Sequence, residues 1–113
     1  MSASKLSDLD SLFLSRALKD AKEKTDALRN RLKDEFQQAD AENREPFPLT
    51  PLTGLRADLV LWACDAAAGK ANADLAAVIG VQRRACESLG DAEVFLLSGQ
   101  VFSLLTAAGV VEE

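Results

Sequence analysis

Apolar residues recur every three to four positions along most of this chain, and the rhythm breaks at a proline cluster and at Gly69, Gly90 and Gly109. From Leu6 to about Glu42 they fall at 6, 9, 13, 17, 21, 28, 32, 36 and 39, with Lys24 filling the one gap. The mean step of about 3.67 residues suits a nearly straight amphipathic helix better than a coiled-coil seam, which needs 3.5. Ser7 followed by Asp10 resembles a capping box, and Asp8 and Asp10 favour a helix N-terminus. Opposite charges four apart (Arg16–Asp20, Lys19–Glu23, Asp20–Lys24, Lys22–Asp26, Arg31–Glu35) fit a solvent-washed face. Such a helix would span roughly 55 Å, well beyond the width of a small domain. Thr25-Asp26 is the candidate break, because both residues cap well and interrupt the apolar stripe. Unbroken, the helix overhangs its own core and must find another surface, most cheaply in a second copy.

Residues 43–54 read as a linker, since Pro46, Pro48 and Pro51 exclude a continuous helix. Three helical segments are expected to follow: Pro51 to Ala68, Ala73 to Leu89 behind Asn72, and Ala92 to Ala108 behind Asp91. Gly109 with Val110 has the pattern of a glycine C-cap. The last helix is apolar on two sides, with Val94, Leu97, Val101, Leu104 and Ala108 on one stripe and Phe95, Phe102 and Leu105 on another. A helix of that kind is central in its domain or sits in an interface. The expected fold is therefore all-α. A charged amphipathic helix (1–42) is joined by the proline-containing linker (43–54) to a bundle of three helices (55–113), or four if Gly80 is a turn. No internal repeat is visible.

Composition agrees with helix and counts against chemistry. The chain has 113 residues and is 48% hydrophobic, with no Tyr, no His, one Trp and five Phe. Without His, the commonest general base and metal ligand is missing, and Cys64 and Cys86 have no imidazole to activate them as nucleophiles. Both cysteines read as buried small hydrophobes. Ala67-Ala68-Gly69-Lys70 hints at a phosphate loop but lacks the glycine at 64 and the hydroxyl residue at 71. No catalytic residue, cofactor or metal site is expected. The longest apolar run, Leu59 to Cys64, is too short for a bilayer, and Asp8 and Asp10 interrupt any secretory leader, so the expected location is cytoplasmic.

Leu75-Ala-Ala-Val-Ile-Gly-Val-Gln-Arg-Arg-Ala-Cys-Glu-Ser-Leu89 resembles the helix-turn-helix of bacterial and phage regulators, through Ala76, Gly80, Val81 and Cys86. The resemblance covers some 15 residues and departs from the family at Gln82 and Cys86. It implies a turn at Gly80 and a second helix that offers Gln82, Arg83 and Arg84 to base edges in the major groove. The same residues also keep step along one uninterrupted helix, with Leu75, Ile79, Gln82, Cys86 and Leu89 on one face. The net charge is −5, and residues 55–113 hold four basic against eight acidic side chains, a balance unlike that of a phosphate-binding surface.

The functional expectation is a non-catalytic assembly protein that acts through self-association or docking in a larger complex. Its candidate interface residues are Phe95, Phe102, Leu105, Leu28, Leu32 and Phe36. The alternative is a helix-turn-helix DNA binder, a small regulator or a phage-type DNA-packaging subunit. No membrane or small-molecule partner is indicated.

Overall fold

A computed structural model describes residues 6–45 and 51–110. These residues are mostly helical, with four helices and a two-stranded sheet in the order α1 (Asp8–Glu42), β1 (Leu52–Arg56), α2 (Ala57–Ala67), α3 (Ala73–Cys86), β2 (Glu93–Leu97) and α4 (Ser98–Ala107). The expectation of an all-helical bundle is thus corrected at two places, 52–56 and 93–97. The expected linker 43–54 likewise ends inside β1, while its residues 46–50 lie outside the described ones.

Helix α1 begins as its sequence suggests, with the Ser7 hydroxyl accepting from the Asp10 N–H at 3.0 Å. It ends where Asn43 turns left-handed at φ 56° and the Arg44 N–H donates to the Ala39 carbonyl at 2.9 Å. The break expected at Thr25-Asp26 does not occur. Thr25 caps nothing, and the Asp20–Lys24 and Asp26–Arg29 ion pairs, at 3.1 and 3.5 Å, run along the continuous helix on either side of it. Thirty-five residues give a rod of about 52 Å, which accounts for the molecule's extents of 55 × 26 × 25 Å.

The strands pair antiparallel, with Leu52 opposite Leu97, Gly54 opposite Phe95 and Arg56 opposite Glu93. Alternation places Thr53, Leu55 and Leu96 inside, with Val94 half-buried beside them, while Leu52, Phe95 and Leu97 face outward. Each strand runs directly into a helix, and the two strand–helix units share a burial pattern. Leu55, Ala57, Val60, Ala63 and Cys64 are buried, as are Leu96, Ser98, Val101, Leu104 and Leu105, each 41 positions later. Gly54 and Phe95 are equivalent by the same offset and are also ladder partners, so a local two-fold passes between them. The sequence shows no repeat because the units share burial rather than residues.

Helix α3 is capped by Asn72, whose side chain accepts from the Leu75 N–H at 2.8 Å. It continues through Gly80 to Cys86, which settles the question of a fourth bundle helix in favour of one helix. The expected C-cap after α4 is present: Gly109 has φ 81°, and the Val110 N–H donates to the Leu105 carbonyl at 3.1 Å. The core lies between α2, α3, α4, the inner sheet face and the first half of α1, which contributes Leu14, Leu18 and Ala21. No residue from 22 to 42 joins that core cluster, so the second half of α1 runs past the core, with Leu28 still lining a groove beside it and Ala39 buried apart from the cluster.

Candidate interaction surface

The outer face of the two-stranded ribbon carries Leu52, Phe95 and Leu97, exposed by 50, 62 and 38%. Three large apolar side chains on five-residue strands make a contiguous patch, unlike the isolated exposed leucines common on soluble surfaces. A Cβ built on Gly54 would lie 2.9 Å from Cε1 of Phe95 and 2.8 Å from Oε1 of Glu93, so both side chains lean across the bare backbone. At the far end of the ribbon, Arg56 donates to Asp10 at 2.9 Å and to Asp58 at 3.1 Å and sits 5.9 Å from the Phe13 ring centroid. Hydrogen bonding to Asp58, opposed by desolvation and aided by Asp10, holds the guanidinium in its charged form. This clamp ties the start of α1 to β1 and α2 and closes one end of a groove of about 480 Å³ between α1 and the ribbon.

A second groove, of about 520 Å³, lies at the opposite end of the ribbon and is floored by Leu28, Leu75, Val78 and Leu97. Beneath it, the Thr53 and Ser98 hydroxyls share a hydrogen bond of 3.0 Å, both residues being at most 2% exposed, and Ser98 also donates to the Pro51 carbonyl at 3.2 Å. This buried polar pair fastens β1 to the start of α4.

The interface candidates from sequence separate into three environments. Phe95 is exposed on the ribbon, and Phe36 is exposed by 55% on the overhanging half of α1. Phe102, Leu28 and Leu32 are half-buried, Phe102 against the core and Leu28 in the second groove. Leu105 is corrected: it is fully buried, because α4 is surrounded by α1, α2 and α3 and both its apolar stripes meet the chain's own core. Leu52 and Leu97, which complete the ribbon patch, fall in the expected linker and on a stripe of the expected last helix; pairing as strands turns both outward.

Gln82, Arg83 and Arg84 continue the single helix α3 past Gly80, so the turn implied by the helix-turn-helix resemblance is not formed. Gln82 is half-buried, Arg83 pairs with Asp65 at 3.1 Å, and Arg84 reaches back to the Gly80 carbonyl at 3.4 Å. Near the tip of α1, Arg44 pairs with Glu35 at 2.6 Å and Glu42 at 2.8 Å, which keeps Glu42 below the usual carboxylate range, its hydrogen bond from Arg44 being the main cause. Cys64 and Cys86 are free and buried, as expected of small hydrophobes. Among the described residues no helix is long and apolar enough to cross a membrane, and no group of His, Cys, Asp and Glu forms a metal cluster. No family model, curated protein or solved structure matches this chain.

Proposed function

We propose that this chain is a non-catalytic assembly protein of the cytoplasm, docking on itself or within a larger complex through apolar surface that its own fold leaves uncovered. The observation that carries this reading is the outward ribbon face of Leu52, Phe95 and Leu97. Burying apolar area there releases about 25 cal/mol per Å², and the underlying strands are short and rigidly tied to the core, so little ordering opposes docking. A two-stranded ribbon is also the right width for a DNA major groove. This one presents leucine, phenylalanine and Glu93 where base and phosphate contacts would need donors, so a protein surface is the better fit.

The test is the mass in solution at micromolar concentration, by light scattering, with and without duplex DNA. Species heavier than the 12.1 kDa chain, lost in Leu52→Ser/Phe95→Ser and indifferent to DNA, are expected. A monomer whose surface fails to bind an apolar dye such as anilinonaphthalene sulfonate would end this reading.

A further inference from the structure

The overhanging half of α1 carries an outward stripe whose residue order is its own complement. Arg29, Lys33, Phe36 and Asp40 follow one another at spacings of four, three and four, which places them along one side of a helix. All four are exposed, Arg29 by 75% of its side chain and Phe36 by 55%. Arg29 has only the long 3.5 Å contact to Asp26, and Lys33 and Asp40 make no ion pair among the described residues. A phenylalanine between a lysine and an aspartate on a solvent face has no intramolecular purpose visible in the fold.

We infer that a second copy of this chain pairs with this stripe, the two α1 helices running antiparallel about a two-fold between residues 34 and 35. That operator sends 29 to 40 and 33 to 36, since each pair sums to 69. Arg29 of each copy then faces Asp40 of the other, and each Lys33 ammonium lies over the other copy's Phe36 ring. Parallel pairing would instead stack Arg29 on Arg29 and Asp40 on Asp40, so charge selects the antiparallel arrangement. Ala39 is buried and Leu28, Leu32 and Glu35 are half-buried on a neighbouring face of this half, whereas the stripe itself is exposed along its whole length and so is open to pairing. The two helices overlap over residues 27–42, which stand outside the core cluster, and the two globular ends lie at opposite ends of the pair. This inference names the partner and geometry for the assembly reading above and rests on it.

The experiment is sedimentation equilibrium of the full chain at low and high salt, with circular dichroism confirming that each variant keeps its helix. Wild type should form a dimer in the micromolar range that weakens as salt rises. Arg29→Asp and Asp40→Arg should each weaken it by about tenfold or more, through like charges brought together twice. An equimolar mixture of these two variants, and the double variant Arg29→Asp/Asp40→Arg, should both restore it. A wild-type dimer untouched by these changes but abolished by Phe95→Ser overturns the α1 pairing while leaving assembly through the ribbon intact. A monomeric wild type at all concentrations overturns the pairing alone if it still binds the apolar dye, and the assembly reading with it if it does not.

Discussion

Phe95 lies across Gly54, its ladder partner, with ring atom Cε1 only 2.9 Å from where a β-carbon would stand. The glycine leaves a gap in the strand, and the aromatic ring from the opposite strand fills it. Alanine at 54 would gain up to about 1 kcal/mol from reduced chain entropy but would push Phe95 and Glu93 aside. Both are exposed side chains that can swing away, so Gly54→Ala should change stability by less than about 1 kcal/mol in wild type. In a Phe95→Ala background the main apolar obstacle is gone, and the same substitution should stabilise by about 0.5–1 kcal/mol. Urea unfolding of the four proteins in this cycle tests the contact; strict additivity would mean the ring does not cover the glycine.

The Thr53–Ser98 hydroxyl pair is buried and partly redundant. Thr53→Val leaves Ser98 still bonded to the Pro51 carbonyl and should cost about 1 kcal/mol, whereas Ser98→Ala strands the Thr53 hydroxyl and should cost about 1–3 kcal/mol. The double variant removes both polar groups and should cost less than the sum. Chemical denaturation midpoints read this directly, and a sum matched by the double variant would show that the two hydroxyls do not interact.

Burial pushes the Cys64 thiol from 9.0 up to about 11, with smaller contributions from Cys86 and Asp65 and an opposing pull from Arg83. The native state therefore holds this proton longer than the unfolded chain does. The associated stability is present in full below about pH 9 and is lost as pH rises through about 11. Cys86 is shifted in the same direction by desolvation and adds to the effect. Thermal midpoints between pH 8 and 11 should fall more steeply for wild type than for Cys64→Ala, and native protein at pH 8 should resist alkylation by iodoacetamide. Parallel pH profiles for the two proteins would contradict this.

The caps were legible in the sequence because they are local: Ser7, Asn72 and Gly109 each do their work within four residues. The strands were not. Val94, Leu97, Val101 and Leu104 keep a helical spacing by coincidence, and what makes 93–97 a strand is Leu52–Arg56, some 40 residues away. Periodicity within one segment cannot register such a partner. The same shift from helix to strand turned Leu97 outward, and the central position of α4 buried Leu105. At Gly80, packing of Leu75, Ile79 and Cys86 outweighs the modest cost of a glycine inside a helix. Phe95 and Phe36 were recoverable as candidate surface residues; the Arg29–Asp40 order needed the knowledge that α1 is unbroken.

Continuity of α1 gives a prediction whose sign separates two states of the helix. Thr25 sits mid-helix with its hydroxyl oxygen buried and no hydrogen-bond partner among the described residues. Valine has nearly the same shape and no oxygen to desolvate, so in an unbroken helix Thr25→Val should stabilise the protein by about 1 kcal/mol, raising the thermal midpoint by roughly 4–8 °C for a domain of this size. Were Thr25 instead the N-cap of a second helix in solution, its hydroxyl would be bonded to the backbone of the following turn. The same change would then cost about 0.5–2 kcal/mol. Calorimetry of the two proteins decides between the outcomes, and a lower midpoint for the valine variant would break α1 in two and remove the rigid overhang on which antiparallel pairing depends.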